Sequence, residues 1–354
     1  MILPAEQLCN QFSNEKINSI SPLGNGLIND TFLVTTESTA FILQRINTQV
    51  FPEPAQIMQN LSLLTQHIRQ KNSRELKLII PACLKTNDQQ SYYLDSNNNY
   101  WRALEFVENT ISQEQITQQK QAQQVGFALG HFHRLCSDAA CDLFHDTLPG
   151  FHITPHYFEQ YQSIKKHGIE LSNKALQCRS FIAAFEAKIN SLEEAKNKGL
   201  LLQRITHGDP KLNNFLFDKD SEEIVSLIDL DTVKPGLVHY DIADCLRSCC
   251  HNTQTNSFDL KLCEIILTSY LKQTAVFFTE HDYDFLYPAI ELIPFELGLR
   301  FFSDYLQGNK YFKVDYTEHN LDRAWAQFQL CESISGQEQA IRLLITQTII
   351  CSSG

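Results

Sequence analysis

The constraint that most limits the fold of this chain is an uneven division between strand-like and helical patterns. Up to about residue 107, short apolar runs alternate with turn residues, and the runs at 32–36 and 40–46 predict a hairpin. One helix interrupts them over 54–70, where Ile57, Leu61, Leu64 and Ile68 recur at helical spacing. After Ser112 the pattern is helical except for one short hairpin at 214–228. The sequence therefore predicts an α+β fold with a small antiparallel β-rich region and a larger helical region.

The pattern changes between Glu108 and Ser112, which is where we place the boundary between two lobes. The first lobe is expected to cover residues 1–107 and the second residues 108–354. A chain of 354 residues that is 43% hydrophobic can bury a sizeable core in such an arrangement.

The charge balance restricts the partners of the protein. Lys and Arg total 29 against 41 for Asp and Glu, so the net charge is −12. A negative protein without a local basic patch repels both nucleic acid and an anionic membrane surface. No run approaches the roughly 20 apolar residues that a membrane helix needs. We therefore expect a cytoplasmic protein that acts on a small molecule, and the sequence leaves its oligomeric state open.

The 11 cysteines are scattered without the spacing of a disulfide framework, which favours reduced thiols. The one cluster comprises Cys245, Cys249, Cys250 and His251. Read as zinc ligands, these residues lack a second pair, whereas helical spacing favours small buried groups. Asp241, just before the cluster, is expected to cap the helix that carries it.

The segment HGDPKLNN at 207–214, followed after the hairpin by IDLD at 228–231, is the most informative part of the sequence. It places Asp209, Lys211 and Asn214 in one loop and Asp229 after a strand. Phosphoryl transfer needs a carboxylate to accept the proton of the attacking hydroxyl, together with oxygen ligands for Mg²⁺ and a nearby cation. Each residue alone also fits an ordinary turn, but their joint spacing favours this chemistry.

HGDPKLNN…IDLD resembles the motifs of the aminoglycoside phosphotransferase and choline kinase superfamily, whose members have a bilobal protein-kinase-like fold. GNGLINDTF, FILQRINTQVF and the stretch from ELGLRFF to RAWAQF resemble segments of N-acetylhexosamine 1-kinases. The resemblance runs from about Pro22 to Ser333. It implies ATP and Mg²⁺ as cofactors.

By this resemblance, Asp209 is the catalytic base and contacts the acceptor, and Lys211 contacts the γ-phosphate. Asn214 and Asp229 are the Mg²⁺ ligands. Asp231 is a further candidate metal ligand, because residues two apart along a strand face the same side.

A glycine-containing turn precedes the first hairpin, where a kinase-like fold places the loop that covers the phosphates. We assign nucleotide contacts there to Gly24, Asn25, Gly26 and Asn29. A plain bend explains two glycines equally well, and only their position favours the nucleotide.

The second strand of the hairpin departs from the kinase pattern. Kinases carry a strand lysine that binds the phosphates and pairs with a glutamate of the next helix. Here the strand has Gln44 and Arg45, and the helix over 54–70 has no acidic residue. Arg45 is the expected cation, although adjacent strand residues face opposite sides and only one of the two can face the nucleotide.

The remaining assignments concern the adenine and the acceptor. Glu105 and Val107 occupy the hinge, where backbone groups would bond the adenine edge. Arg300, Asp304 and Tyr311 are candidate acceptor contacts by family resemblance, with surface ion pairing as the alternative for the first two.

The function expected from these observations is ATP-dependent phosphorylation of a sugar hydroxyl. The resemblance favours the anomeric hydroxyl of an N-acetylhexosamine, giving a sugar 1-phosphate. Two alternatives stay open at this point. The acceptor could be an aminoglycoside, a choline-like molecule or another small alcohol, or the protein could be a nucleotide-binding pseudokinase.

Overall fold

A computed structural model describes residues 6–24, 28–71, 78–164 and 172–352. Antiparallel strands dominate the N-terminal part and helices the C-terminal part, which confirms the predicted α+β class. The chain forms two compact units that no single cut separates. The first unit comprises residues 1–112, 138–149 and 214–235, and the second comprises residues 113–137, 150–213 and 236–354.

The strands are short and numbered in chain order. They are β1 Ile17–Pro22, β2 Asp30–Thr36, β3 Ala40–Arg45, β4 Cys83–Leu84, β5 Tyr93–Leu94, β6 Tyr100–Glu105, β7 Thr110–Ser112, β8 Arg204–Thr206, β9 Phe215–Asp218, β10 Ile224–Leu227, β11 Lys234–Gly236, β12 His251–Asn252 and β13 Ser257–Phe258.

The helices are numbered in the same way. They are α1 Glu6–Cys9, α2 Pro54–Arg69, α3 Gln119–Cys136, α4 Thr154–Ile164, α5 Asn173–Phe185, α6 Ser191–Asn197, α7 Val238–Cys249, α8 Leu260–Thr274, α9 Glu280–Asp284, α10 Leu286–Leu306, α11 His319–Ser335 and α12 Glu338–Ser352. No described helix combines the length and the apolar character needed to span a bilayer.

The first unit is built on a six-stranded sheet in which β1, β2, β3, β6 and β4 are successive neighbours and β5 also pairs with β6. One face of this sheet is apolar, and its buried side chains include Phe32, Leu43 and Trp101 packed with Cys9 and Phe12. The hairpin of β9 and β10, predicted from its two apolar runs, forms a second sheet with β7.

The register between β3 and β6 decides which side chains share a face. Gln44 lies directly opposite Arg102, and Arg45 lies opposite Trp101. Residues directly opposite each other in an antiparallel pair point to the same side. Arg45 therefore shares its face with Trp101 of the apolar core, whereas Gln44 and Arg102 point to the other side.

Helix α2 follows the predicted pattern and buries Ile57, Leu61, Leu64 and Ile68. It begins at Pro54, whose fixed φ suits the first turn of a helix. The buried Asn60 on this helix donates to the carbonyl oxygen of Val233 at 2.8 Å, and it thereby holds the segment after β10 within the first unit.

In the second unit, α3 packs against α8 unusually closely. A Cβ atom added at Gly126 would lie 2.1 Å from the carbonyl oxygen of Ile266, and one at Gly130 would lie 2.8 Å from that of Tyr270. Both positions exclude every larger residue unless the helices separate. Helix α10 supplies a second buried layer, in which the ring of Phe295 stacks on Phe185 with centroids 4.1 Å apart.

Candidate active site

The predicted catalytic loop follows β8 in the second unit, and a buried carboxylate holds its backbone. Asp241 accepts hydrogen bonds from the backbone N–H groups of His207 at 2.6 Å and Gly208 at 2.9 Å. Nε2 of His133 donates to the same carboxylate at 2.9 Å. The residue before Asp209 is thus fixed by an acid on a different element.

Asp241 is ionised despite complete burial. Burial alone raises the pKa of its carboxyl, but the hydrogen bond and charge of His133, with the contacts to His207, hold that pKa below its ordinary value. The expectation that Asp241 caps a helix was wrong. Helix α7 begins at Val238 with Leu237 as its cap, so Asp241 lies within the first turn and points to the loop.

A second side chain, His152, holds the same loop through the carbonyl group. Its Nε2 donates to the carbonyl oxygen of Gly208 at 2.9 Å, and its Nδ1 donates to Glu296 at 2.9 Å. Thr154 donates to the other oxygen of Glu296 at 2.7 Å. Because a carbonyl and a carboxylate can only accept, both ring nitrogens carry protons and His152 is an imidazolium.

The electrostatics around His152 agree with this protonation state. Burial alone lowers the pKa of His152, but the charge and hydrogen bond of Glu296 outweigh it, and the pKa stands above its ordinary value.

Asp209 itself lies at a pocket within the second unit. Its carboxylate accepts from Nζ of Lys211 at 2.6 Å. The pocket is lined by Phe151, His152, Asp209, Asp244, Arg247, Ile293, Glu296, Leu297 and Arg300. The structure therefore brings the predicted base Asp209 and the predicted acceptor contact Arg300 to one pocket.

The carboxylates of this pocket have cationic partners. Asp244 accepts from Nε of Arg247 at 2.7 Å, as Asp209 does from Lys211 and Glu296 from His152. Burial raises the pKa of Asp244, but the charge of Arg247 outweighs it and lowers that pKa. Each acid at this pocket is therefore paired with a cationic side chain.

Arg300 is held by rings instead of by a carboxylate. Its guanidinium carbon lies 5.3 Å from the ring centre of Phe151, 5.0 Å from that of Tyr157 and 5.7 Å from that of Phe312. Within the described part of the chain, Arg300 forms no ion pair within 4 Å, so the alternative of surface ion pairing does not hold for this residue.

The structure gives Asp304 a different task from the predicted acceptor contact. Its carboxylate accepts from the backbone N–H groups of Lys310, Tyr311 and Phe312 at 2.8 to 2.9 Å, and from Nδ2 of Asn320. These bonds use both oxygens to fasten the loop after α10. Tyr311 is 60% exposed at the edge of this loop.

In the first unit, the predicted metal ligands Asn214 and Asp229 lie at the ends of the β9–β10 hairpin. The N–H group of Ile228 donates to the carbonyl oxygen of Asn214 at 3.0 Å, which closes the ladder next to Asp229. Asp229 has φ 63° and ψ 49°. This left-handed backbone is uncommon for a residue other than glycine, and such conformations concentrate at functional sites.

The strand argument for Asp231 was wrong, because β10 ends at Leu227 and residues 230–232 form one turn of 3₁₀ helix. Asp231 is 2% exposed. One carboxylate oxygen is paired with Arg102, and the other accepts from Nδ2 of Asn29 at 2.7 Å. Both oxygens of Asp231 are engaged within the protein. Asp229 and Asp231 do not lie on a strand, so strand alternation cannot place them on the same side.

The glycine-containing turn is described only in part, since Asn25 and Gly26 lie outside the described residues. Gly24 has φ 69°, a conformation that glycine adopts without strain. Asn29 is buried, and its Oδ1 accepts from the backbone N–H of Asn47 at 3.0 Å. Because Nδ2 of Asn29 donates to Asp231, this one side chain connects the predicted nucleotide loop to that carboxylate.

Arg45 and Gln44 are separated as strand alternation requires. The guanidinium of Arg45 pairs with Asp30 and is 45% exposed. Gln44, on the other face, accepts from Nε and Nη2 of Arg102 at 3.0 and 2.8 Å. The structure therefore places Arg45, the expected cation, on the face away from Asp231.

At the predicted hinge, the backbone N–H of Glu105 donates to the carbonyl oxygen of Ala82 at 3.0 Å. The Glu105 side chain accepts from the N–H of Ala82 at 3.0 Å. The carbonyl oxygen of Val107 accepts from the hydroxyl of Thr110 at 2.7 Å. The hydrogen bonds expected from these two residues to adenine remain a prediction.

Comparison with known proteins assigns the chain to a family. A sequence model of the phosphotransferase enzyme family (APH) matches residues 19–264. This chain belongs to that family. The phosphotransferase is similar in fold to an aminopropanol kinase associated with a microcompartment, at 15% identity and a TM-score of 0.65, over 95% of this chain and 97% of that one.

Two further solved structures share the fold of this phosphotransferase. An aminoglycoside phosphotransferase from Alicyclobacillus acidocaldarius matches at 16% identity and a TM-score of 0.65, over 99% of this chain and 97% of that one. A choline kinase from Cryptosporidium parvum matches at 14% identity and a TM-score of 0.59, over 93% of each chain. These structures confirm the predicted kinase-like fold, and the family match confirms the prediction that the protein is a phosphotransferase.

The sequence did not predict the roles that three residues of this phosphotransferase have in the structure. Asp241 and His152 hold the loop before Asp209 by contacts to backbone atoms, which leave no pairwise sequence signal. Arg102 was not singled out because a lone arginine in a strand is unremarkable. The one available signal was its position between Trp101 and Ala103, because strand alternation then places a cation on the face away from the core.

The cysteine cluster of the phosphotransferase is structural in the part of the chain described. Cys245 and Cys250 are buried, and burial raises the pKa of the Cys250 thiol well above its ordinary value. No group of three or more His, Cys, Asp or Glu side chains that could hold a metal occurs among the residues described. A Mg²⁺ site needs fewer protein ligands, because one or two carboxylates and the substrate phosphates suffice.

Proposed function

We propose that this phosphotransferase transfers the γ-phosphoryl group of ATP to a sugar hydroxyl. The proposed acceptor position is the anomeric hydroxyl of an N-acetylhexosamine, and the product is the sugar 1-phosphate. The observation that carries the proposal is the position of Asp209 at a pocket whose other two carboxylates, Asp244 and Glu296, are paired with Arg247 and His152.

Asp209 is proposed as the base. Its Oδ atoms accept the proton of the acceptor hydroxyl while that oxygen forms its bond to the γ-phosphorus and the bond to the ADP oxygen breaks. Lys211 lies 2.6 Å from the same carboxylate and is proposed to contact the γ-phosphate. The bonds from Asp241 and His152 keep the preceding residues in place during this transfer.

Mg²⁺ fits the oxygen donors of Asn214 and Asp229, which are the hard ligands that this ion prefers. Bound there, the ion would neutralise the phosphates and stabilise the charge that develops during transfer. Asp231 is left out of the proposed ligand set, because Arg102 and Asn29 already engage both of its oxygens.

Charge in the pocket supports a neutral acceptor. Asp244 and Glu296 have cationic partners, so an amine of the acceptor would have to displace Arg247 or His152 to form its own ion pair. The donors of Arg300 have no competing ion pair in the described chain, and they suit hydroxyl or carbonyl oxygens. The resemblance of the C-terminal segment to N-acetylhexosamine 1-kinases points to the same acceptor.

The role of Asp209 is tested with Asp209→Asn, which keeps the shape of the side chain. Loss of a general base lowers turnover by about 10²–10⁴-fold, and ADP affinity is expected to be unchanged. Asp284→Asn, a matched change at an exposed acid, should leave turnover unchanged. Turnover of Asp209→Asn within a few-fold of the parent protein would remove Asp209 as the base.

The acceptor is tested by measuring Mg²⁺-dependent ADP release with N-acetylglucosamine, N-acetylgalactosamine, other hexoses, choline, aminopropanol and kanamycin. We expect turnover on the N-acetylhexosamines. An amino alcohol or aminoglycoside is the second candidate, which the names of the structural neighbours favour. Turnover confined to the amines would replace the sugar with that class.

A further inference from the structure

A buried arginine of the first unit has donors that the protein does not use. Arg102 is 1% exposed. Its Nε and Nη2 donate to Gln44, and Nη2 also pairs with Asp231. Nη1 is buried and has no hydrogen-bond partner within the described structure.

An unsatisfied buried donor needs an explanation. Most buried polar atoms have partners, and leaving one unpaired destabilises a protein substantially. The cost is larger for a charged group, and a leucine or methionine would fill this strand position without it. A ligand that brings oxygen atoms to Nη1 accounts for an arginine here.

The surroundings of Arg102 limit what that ligand can be. The negative charges of Asp231 and Asp229 both act on the guanidinium. Burial alone would lower the pKa of Arg102, but these charges raise it, so the side chain stays cationic. Asp229 is also the proposed Mg²⁺ ligand, and Asn29 links the Asp231 carboxylate to the glycine-containing turn. A partner for Nη1 in this setting is an anion that also binds a divalent ion, which describes the phosphates of a nucleotide.

The strand order gives the same answer. Kinases place the phosphate-binding lysine on the third strand of the sheet. Here β3 carries the uncharged Gln44 on the face where Asp231 lies, and Arg102, the residue opposite it on β6, carries the charge. Gln44 is itself fixed, because its Nε2 donates to the hydroxyl of Thr31 at 3.0 Å.

We propose that Arg102 is the cation that binds the nucleotide phosphates, and that Gln44 positions it. The inference rests on the proposed use of ATP. In this protein the cation lies on β6 instead of β3, and the neutral Gln44 on β3 orients it.

The test compares ligands that differ only in phosphate content. Dissociation constants of adenosine, AMP and ADP are measured by calorimetry for the whole protein and for Arg102→Met. Loss of a charge-assisted contact should weaken ADP by about tenfold or more and leave adenosine unchanged. Equal weakening of adenosine and ADP, or no weakening of either, would show a structural role and overturn the proposal.

Further variants keep the result decisive. Arg102→Lys retains a charge beside Asp231 and replaces Arg102→Met in the test if that variant does not fold. Its affinity for ADP should also fall selectively, because lysine lacks the second arm of the guanidinium. Lys71→Met removes a different cation of this unit, paired with Asp138, and should bind ADP as the parent does. Selective loss of ADP in Arg45→Met but not in Arg102→Lys would assign the cation to Arg45 and overturn the proposal.

The experiment also separates this inference from the proposed function. A parent protein that binds no ADP contradicts the use of ATP and, with it, the role of Arg102. A parent protein that binds ADP and variants that retain that binding contradict the role of Arg102 alone.

Discussion

Two buried aspartates, one in each unit, fasten the segments that carry the predicted chemistry, and they do so in opposite ways. Asp231 in the first unit is held by side chains, with a guanidinium on one oxygen and an amide on the other. Asp241 in the second unit is held mainly by backbone N–H groups. The first arrangement neutralises a full charge with a full charge, whereas the second spreads the charge over dipoles and His133.

The difference predicts which property, stability or turnover, each region loses when its aspartate is removed. Removal of the Asp231 carboxylate leaves the Arg102 charge buried without its counterion, and an uncompensated buried charge is strongly destabilising. Removal of the Asp241 carboxylate leaves backbone donors without acceptors, which costs less per group but frees the loop next to Asp209. We therefore expect stability to be the larger effect in the first region and turnover in the second.

The largest change in stability is expected for Asp231→Ala. Stranding the Arg102 guanidinium should lower the free energy of unfolding by about 3–5 kcal/mol, measured by urea denaturation. Adding Arg102→Met to this variant removes the stranded charge and should restore part of the loss. A double variant no more stable than Asp231→Ala would contradict the charge-pair account.

Asp241→Asn should affect turnover more than stability. One amide oxygen can replace one of the two backbone contacts, so the free energy of unfolding should fall by about 1–3 kcal/mol. Because a small displacement of a catalytic group is costly, turnover should fall by about 10²-fold. The measurements are steady-state kinetics and urea denaturation, and a turnover loss below about threefold would show that the loop is held by other contacts.

The pH dependence of stability should distinguish the regions further. Arg102 stays charged throughout, whereas His152 titrates, and its pKa in the folded protein is raised above the ordinary 6.5. A raised pKa means that the folded state binds the proton more tightly, so the contribution of His152 is fully present below about pH 6.5 and is lost as pH rises through the raised value.

The measurement is the free energy of unfolding of the parent protein and of His152→Gln between pH 6 and 9. The difference between the two should be largest at pH 6 and shrink toward alkaline pH. The difference between the parent and Asp231→Ala should change far less over this range. A constant difference for His152→Gln would mean that folding leaves the pKa of His152 unshifted, and it would contradict the pairing with Glu296 as the cause of a raised pKa.

The smallest effect is expected at the exposed edge of the second unit. Tyr311→Phe removes one hydroxyl from a residue that is 60% exposed, so the free energy of unfolding should change by less than about 0.5 kcal/mol. If Tyr311 contacts the acceptor as predicted, KM for the acceptor should rise a few-fold at unchanged kcat. An unchanged KM would remove Tyr311 from the acceptor contacts.

Local spacing was sufficient to predict much of this fold. Apolar residues every three or four positions predicted α2, and two short apolar runs predicted the β9–β10 hairpin that separates Asn214 from Asp229. These features depend on neighbours in sequence, so the sequence alone carries them. The HGDPKLNN loop was equally visible because its residues are consecutive.

Contacts between distant residues were not predictable in the same way. Arg102 and Asp231 are 129 positions apart, and nothing in either neighbourhood announces the other. The left-handed backbone at Asp229 ended the strand alternation on which the assignment of Asp231 depended. Asp304 was assigned to the acceptor by family resemblance, and its partners in the structure, the N–H groups of a loop, have no residue-specific signature that would have predicted them.

The first unit draws on three separate stretches of chain, the last of which ends at residue 235. Its bonds from Asn29 to Asp231 and from Asn60 to Val233 join positions 202 and 173 residues apart. A chain growing on the ribosome therefore cannot finish its N-terminal unit when that part first emerges, and it must wait through about 10 s or more of further synthesis. During that interval the contacts of Asn29 and Asn60 to the last segment are unformed, so chaperone dependence should be greatest for chains arrested before residue 214.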